Sequence, residues 1–208
     1  MKNGGISMNR AELKAAAKQS IRGKIGVLFL ITLVVGLISG AASGLAGLIP
    51  FGIGSVAVSV VVTPGFALSL VLIYLNVAKG EHPTVGDAFC GFNDFWSAFK
   101  VSFLSGLFTF LWSLLFIIPG IIKGLSYSMA MYILAENPGK SAKECIEESK
   151  RMTEGHKMEL FVLGLSFIGW YLLCGITFGI ASIWVVPYVN TTYANAYNKL
   201  KQGSVVEF

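Results

Sequence analysis

The chain has 208 residues, of which 54% are hydrophobic and only 13% are charged, and its mean hydropathy is +0.70. Because soluble domains carry about 25% charged residues, this composition excludes an ordinary soluble domain and indicates an integral membrane protein. The formal net charge of +5 does not indicate nucleic-acid binding, because the basic residues flank apolar runs, a placement typical of membrane topology signals.

Six apolar runs follow one another along the chain. They cover residues 25–48, 55–77, 101–118, 121–135, 158–176 and 180–197. Backbone groups in lipid must be satisfied internally, which leaves helices or closed barrels. Barrel strands alternate apolar and polar residues, whereas unbroken runs of about 20 residues are typical of membrane helices. We therefore predict an all-α, polytopic membrane protein with six transmembrane helices.

The charged residues predict how these helices are oriented. Fifteen of the 16 basic residues lie before the first run, between the second and third, between the fourth and fifth, or after the sixth. The 11 acidic residues lie in the same segments, except that Glu159 is the second residue of the fifth run. The positive-inside rule places these segments and both termini in the cytoplasm. The three remaining connections are short and nearly uncharged, so the six helices form three hairpins.

The stretch "LFIIPGIIKGLSYSMAMYIL", residues 115–134, holds the middle connection. We predict an outer turn at Pro119 and Gly120, because one long kinked helix would move the charged segments after it to the other side. Lys123 is then the one basic residue outside, and we interpret it as an interfacial anchor whose side chain reaches the headgroups. The fourth run is short, since about 15 residues span roughly 22 Å.

A capped segment precedes each predicted hairpin. Residues 9–12, 84–87 and 141–144 each have N-cap spacing, and Gly155 suits the residue after a helix end. We predict a cytoplasmic amphipathic helix at each place and a threefold repeat over residues 9–78, 84–137 and 141–200. Chance similarity of glycine-rich turns is the alternative. Residues 1–8 are expected to be disordered, 9–201 to form one membrane domain, and 202–208 to be a flexible tail.

Small residues and prolines mark further features of the runs. Gly36, Gly40 and Gly44 form a stripe suited to close helix contact, either within the bundle, which we favour, or in a dimer. Pro64 and Pro187 interrupt the second and sixth runs. Each proline forms a kink or lines a cavity, and the sequence leaves both interpretations open.

Polar residues concentrate at the inner ends of the fourth and sixth runs. These residues predict a polar cavity open to the cytoplasm, which could hold water or a lipid headgroup. Hydrogen bonding between helices is the alternative. The candidate cavity residues are Ser126, Tyr127, Asn190, Thr191, Tyr193 and Asn195.

No residue pattern indicates catalysis, a cofactor or a metal. His82 and His156 have no second ligand at metal-binding spacing, and Cys90, Cys145 and Cys174 are far apart. The runs contain no buried carboxylate or histidine of the kind that relays protons in coupled transporters. We therefore expect a protein that is not an enzyme.

Three stretches carry a resemblance to a known family. They are "YSMAMYILAENP" at 127–138, "ESKRMTEGHKMELFVLGLSFIGWYLL" at 148–173 and "WVVPY" at 184–188. They resemble the domain-of-unknown-function 975 (DUF975) family of bacterial integral membrane proteins, which is also distantly similar to the membrane domain accompanying some glycerophosphodiester phosphodiesterases. The resemblance implies a six-helix protein of the bacterial plasma membrane and transfers no catalytic residue.

These observations predict a non-enzymatic plasma-membrane protein that binds lipid or a partner, or acts as a scaffold, through a cytoplasm-facing polar pocket. The alternative is a small transporter or channel component. The expected partners are the lipid bilayer and either a membrane protein, a cytoplasmic protein or a second copy of the chain, without nucleic acid or cofactor.

Overall fold

A computed structural model describes residues 9–46 and 53–206. The segment predicted to be disordered, residues 1–8, lies outside the described residues, as do the first outer connection at 47–52 and residues 207–208. Within the described residues the chain forms α-helices, one 3₁₀ helix and no strand. The predicted all-α class is therefore confirmed.

The helices follow in chain order, and the 3₁₀ helix lies between α3 and α4. They are α1 (Arg10–Ile21), α2 (Ile25–Ala46), α3 (Ile53–Ala78), the 3₁₀ helix (Val85–Phe92), α4 (Phe95–Leu115), α5 (Ile117–Tyr127), α6 (Ala130–Glu136), α7 (Ala142–Thr153), α8 (Lys157–Leu165), α9 (Ile168–Ile176) and α10 (Ser182–Val206).

Four stretches of the described residues are long and apolar enough to cross a membrane. They are Ile25–Gly44, Phe95–Leu114, Ile118–Glu136 and Lys157–Ile176. In α3, Val62–Ala78 forms a shorter apolar stretch. α10 is not among the four, because polar residues are frequent from Asn190 and Thr191 onward.

Large apolar side chains cover the outward faces of these helices. Phe110 and Leu114 on α4 are 63% and 73% exposed, and Ile176 at the end of α9 is 76% exposed. A soluble monomer rarely exposes contiguous apolar surface of this kind. The exposed apolar surface and the four apolar stretches are compatible with a membrane protein.

The local signals for helix ends are confirmed where they are strongest. Asn9 Oδ1 accepts a hydrogen bond from the Ala11 N–H at 3.1 Å, and Ser141 Oγ accepts one from the Glu144 N–H at 3.3 Å. Gly155 follows α7 with φ of +81°, a conformation that glycine adopts without strain. The segment after Thr84 differs from the prediction, because it winds as a 3₁₀ helix.

The turn predicted at Pro119 and Gly120 is wrong in position. α4 ends at Leu115, Phe116 is extended with φ of −157°, and α5 begins at the next residue. Pro119 therefore lies in the first turn of α5, where its missing N–H has no helical acceptor to lose. The fourth run is consequently not short, since the apolar stretch of 19 residues begins at Ile118.

Two runs that the sequence predicts as single helices are interrupted. Ser128 and Met129 separate α5 from α6, and Ser166 and Phe167 separate α8 from α9. No proline stands at either break. Pro64 and Pro187 do not interrupt their helices, because α3 and α10 continue through them.

The glycine stripe of α2 is not a contact within the bundle. Gly36, Gly40 and Gly44 are exposed, and a Cβ added at any of them would meet no atom of the described residues within 4 Å. Among the described residues, the interpretation favoured from sequence is therefore wrong. The cause is the rotation of α2, which buries Leu28 and Ile31 instead.

The buried core lies between the long helices, and the shorter helices pack around it. α1 packs on α10, the 3₁₀ helix on α3, and α7 on α5 and α6. Tyr74, Phe167 and Tyr197 are among the largest fully buried side chains. Tyr132 stacks on Tyr197 with ring centroids 5.4 Å apart.

Candidate functional site

A cluster around Glu136 joins three helix ends. Its carboxylate is 2.9 Å from Lys79 Nζ, which follows α3, and 2.5 Å from Lys201 Nζ on α10. Tyr197 OH donates to the same carboxylate at 2.8 Å. The Glu136 side chain is only 11% exposed. One carboxylate therefore holds the ends of α3 and α6 and the last turns of α10 together.

Lys24 connects the start of α2 to the residues that follow α3. Its side chain is buried, and Nζ donates to the carbonyls of Gly80 and Glu81, both at 2.7 Å. These carbonyls follow the C-terminus of α3, where a cation satisfies free acceptors and opposes the helix dipole. Burial of Lys24 is thus compensated by two charge-assisted hydrogen bonds.

A serine of α7 bridges the break between α5 and α6. Ser149 Oγ donates to the Ser126 carbonyl at 2.7 Å and accepts from the Met129 N–H at 3.2 Å. Thr153, one turn later, bonds at 2.8 Å to the Ser149 carbonyl and lies 3.5 Å from the Ser126 carbonyl. The backbone groups released by the break are therefore satisfied by the neighbouring helix, as burial requires.

A lysine of α1 occupies the break between α8 and α9. Lys14 Nζ donates to the Ser166 carbonyl at 3.3 Å and lies 4.4 Å from the centroid of the Phe167 ring. Burial, followed by the neighbouring Arg10 and Lys18 charges, lowers the pKa of Lys14. Lys14 is thus held beside the Phe167 ring although the Arg10 and Lys18 charges repel it.

The predicted cavity residues fall into two groups. Ser126 and Tyr127 are buried at the end of α5, where Lys150 Nζ lies 5.6 Å from the Tyr127 ring centroid. Asn190 donates to the Val186 carbonyl at 2.9 Å, within its own helix. These hydrogen bonds fit the alternative of bonding between or within helices.

The rest of the second group lies along α10. Tyr193 is half-buried, with its ring 6.2 Å from that of Phe167. Thr191 Oγ1 and Asn195 Nδ2 are buried atoms without a hydrogen-bond partner among the described residues. These two residues are four apart and share one face of α10. The cavity itself stays a prediction.

Lys123 contacts the helix before it. Its Nζ lies 4.9 Å from the centroid of the Trp112 ring, across the α4–α5 contact. Tryptophan is the preferred ring for a cation–π contact and is enriched at membrane interfaces. The pair therefore fits the interfacial anchor that the sequence predicts, which stays a prediction.

The histidines and cysteines are dispersed. His156 Nδ1 lies 3.0 Å from Glu159 Oε2. The three cysteines are free, and burial raises the pKa of the Cys145 thiol. In the part of the chain that the structure describes, no group of three His, Cys, Asp or Glu residues could hold a metal ion.

The residues whose ion pairs and hydrogen bonds connect the helices were not identified from the sequence. Glu136 is the one acid at the inner end of the fourth run, and Lys24 directly precedes the first run, so both had a positional signal. Ser149 had a weaker one, as a small polar residue in the segment predicted to form an amphipathic helix. Their partners lie 20 or more residues away, as for Ser149 and Met129, so spacing does not reveal them.

The fold and these contacts define an all-helical protein with membrane-compatible helices. The family model described as protein of unknown function (DUF975) matches residues 8–126 and 114–204. The chain therefore belongs to the DUF975 family. No curated protein and no solved structure matches the chain.

Proposed function

We propose that this chain is a non-enzymatic integral membrane protein of the bacterial plasma membrane that binds anionic phospholipid headgroups at its cytoplasmic face. The observation that carries the proposal is the arrangement of charge. The contacts of Lys24, Lys79, Glu136 and Lys201 gather several helix ends at one end of the bundle, beside the basic helix α1.

The same contacts support six crossings in three hairpins. Lys24 at the start of α2 meets Gly80 after α3, and Lys79 meets Glu136 at the end of α6. Glu136 in turn meets Lys201 near the end of α10. Each contact joins two points separated by a pair of predicted crossings, so the chain returns to the same side each time. The basic residues then lie in the cytoplasm, with both termini.

Lipid binding follows from this placement. The inner leaflet is negatively charged and attracts juxtamembrane lysine and arginine by about 1 kcal/mol for each residue near the surface. α1 alone carries Arg10, Lys14 and Lys18 against the single acid Glu12, and Arg22 follows directly. The exposed apolar faces of α2, α4 and α9 provide the contact with acyl chains.

The topology is tested by cysteine labelling of intact cells. The three native cysteines are first replaced by alanine, and single cysteines are then introduced at Phe178 or Glu147. Phe178 is 98% exposed in the connection between α9 and α10, and Glu147 is exposed on α7. We expect an impermeant reagent to label the first variant only. Labelling of the Glu147→Cys variant from outside would contradict the topology.

Lipid binding is tested with the purified protein in nanodiscs. Native mass spectrometry compares retention of phosphatidylglycerol with that of phosphatidylcholine. We expect preferential retention of the anionic lipid, and its release by high salt, because the attraction between exposed charges is screened. Equal retention of both lipids would exclude the proposed function.

A second candidate is a small transporter or channel component. Thr191 Oγ1 and Asn195 Nδ2 have no hydrogen-bond partner in the part of the chain that the structure describes, which favours this candidate, because such buried polar atoms are suited to water or a solute. Proteoliposome flux assays test it, with Thr191→Val as the variant. Solute flux that this substitution abolishes would favour the transporter over the lipid-binding protein.

A further inference from the structure

The helices α1 and α7 have the same local design. Each has 12 residues, an N-cap side chain at Asn9 or Ser141, and a following glycine, Gly23 or Gly155, with φ of +81°. In both cases the next long helix begins two residues after the glycine. Position 18 of the chain therefore corresponds to position 150.

The two lysines at these positions make the same contact. Lys18 Nζ lies 5.8 Å from the Tyr188 ring centroid, and Lys150 Nζ lies 5.6 Å from that of Tyr127. Each lysine is exposed, and each tyrosine is buried. Tyr188 directly follows Pro187 within α10, and Tyr127 is the last residue of α5.

The charges around the two lysines differ. α1 contains three basic residues and Glu12, whose carboxylate pairs with Lys199. α7 contains three basic and three acidic residues, so its own charges balance. Lys14 adds a second cation, four residues before Lys18, whereas the residue at the equivalent position of α7 is the buried Ile146. The two sites thus share geometry but not electrostatic potential.

The 3₁₀ helix supplies no third cationic site. It packs on α3, where a Cβ added to Gly65 would lie 2.6 Å from a ring carbon of Phe92. Gly65, which follows Pro64, is thus covered by the Phe92 ring, whereas the residue that follows Pro187 is Tyr188, the ring that Lys18 contacts. A concentrated positive charge beside an aromatic surface is therefore found, among the described short helices, on α1.

The surroundings of Lys14 and Lys18 favour a lipid over a free anion. The exposed Trp170 ring lies 5.7 Å from the Tyr188 ring, so the aromatic surface beside Lys18 extends onto α9. An open apolar depression of about 450 Å³ begins two residues after Ser166 and follows α9. It is lined by Ile168, Tyr171, Leu172, Gly175 and Ile176.

We propose that Lys14 and Lys18 bind the phosphate of one anionic phospholipid, with the Tyr188 and Trp170 rings beside the headgroup and an acyl chain along the depression on α9. The inference rests on the lipid binding proposed above and assigns it to one place. The phosphate satisfies two cations that the ion pairs of the described residues leave without a carboxylate.

The experiment compares two matched double variants in nanodiscs containing phosphatidylglycerol and phosphatidylcholine. K14Q/K18Q removes both cations from α1, and K143Q/K150Q removes two exposed cations from α7. At about 1 kcal/mol for each lysine, we expect K14Q/K18Q to weaken phosphatidylglycerol binding about 30-fold and K143Q/K150Q to change it less than about threefold. K18Q alone, at an exposed position, is expected to weaken it about fivefold and serves if the double variant does not fold.

Three results would overturn the inference in different ways. Equal losses in the two double variants, or no loss in K14Q/K18Q and K18Q, would remove the site while leaving lipid binding in place. No preference for phosphatidylglycerol in the unmodified protein would remove lipid binding itself. Full competition by inorganic phosphate at equal concentration would identify a site for a free anion.

Discussion

Ser149 on α7 is hydrogen-bonded to Ser126 at the break between α5 and α6. The Ser149 hydroxyl donates to the Ser126 carbonyl and accepts from the Met129 N–H. One side chain thus completes the backbone hydrogen bonding of a broken apolar helix. The relationship explains why a charged helix lies against this stretch, because α5 and α6 would otherwise bury unsatisfied groups.

Replacement of Ser149 by alanine is expected to destabilise the fold. The substitution leaves a buried carbonyl and a buried N–H without the hydroxyl, at a cost of about 1–3 kcal/mol. Thermal unfolding in detergent measures the change. Ser182→Ala is the control, because its hydroxyl bonds locally to the Gly179 carbonyl. Equal melting temperatures for the two variants would show that the bridge contributes nothing.

Local features of this fold were predictable from sequence, and features that depend on a distant partner were not. The caps at Asn9 and Ser141 are determined by residues within one turn, so their spacing identifies them. The breaks at Ser128 and Ser166 have no local signal, because neither proline nor glycine stands there. They are tolerated through contacts with Ser149 and Lys14 on other helices.

The candidate site shows the same limit. The concentration of polar residues at the ends of α5 and α10 was visible in the sequence, but the lysine–tyrosine contacts were not. Lys18 and Tyr188 are brought together because α1, near the beginning of the chain, packs on α10 at its end. Periodicity within one helix carries no information about such a pairing.

Gly120 provides a steric test of the contact between α4 and α5. A Cβ at this buried position would lie 2.8 Å from the Ser113 Cα, and the backbone cannot move away cheaply. Gly120→Ala is expected to destabilise the protein by about 1–3 kcal/mol. Gly106→Ala is the matched control, because a Cβ there meets nothing within 4 Å. A Gly120 variant as stable as the Gly106 variant would contradict this packing.

Lys24 is expected to be essential to the junction between α1 and α2. Lys24→Met keeps most of the side-chain length but leaves the Gly80 and Glu81 carbonyls without their donor. Hydrogen bonds to a charged group contribute about 1.5–3 kcal/mol, and a loss of that size in unfolding free energy is expected. Lys143→Met, at an exposed position of α7, is the comparison. A Lys24 variant no less stable than this one would refute the assignment.

Glu144 gives the N-terminus of α7 a dependence on pH. The Ser141 backbone N–H donates to Glu144 Oε2 at 2.9 Å, and this bond, with the Ser141 side chain, holds the pKa of Glu144 below its ordinary value of 4.5. A carboxyl group whose pKa is lower in the folded state stabilises the fold above its unfolded pKa. That stabilisation is lost as the pH falls through the folded pKa.

Glu144→Gln is therefore expected to lower stability at neutral pH and to make the acid branch of a melting-temperature profile less steep. Melting temperatures from neutral pH to well below 4.5 measure both effects. Glu147→Gln removes the same charge three residues later, outside the cap, and is expected to leave the acid branch in place. Parallel profiles for the unmodified protein and the Glu144 variant would show that the cap does not link α7 to pH. If the Glu144 variant has a less steep acid branch and the Glu147 variant does not, protonation of the Glu144 carboxylate loosens the first turn of the helix that bridges α5 and α6.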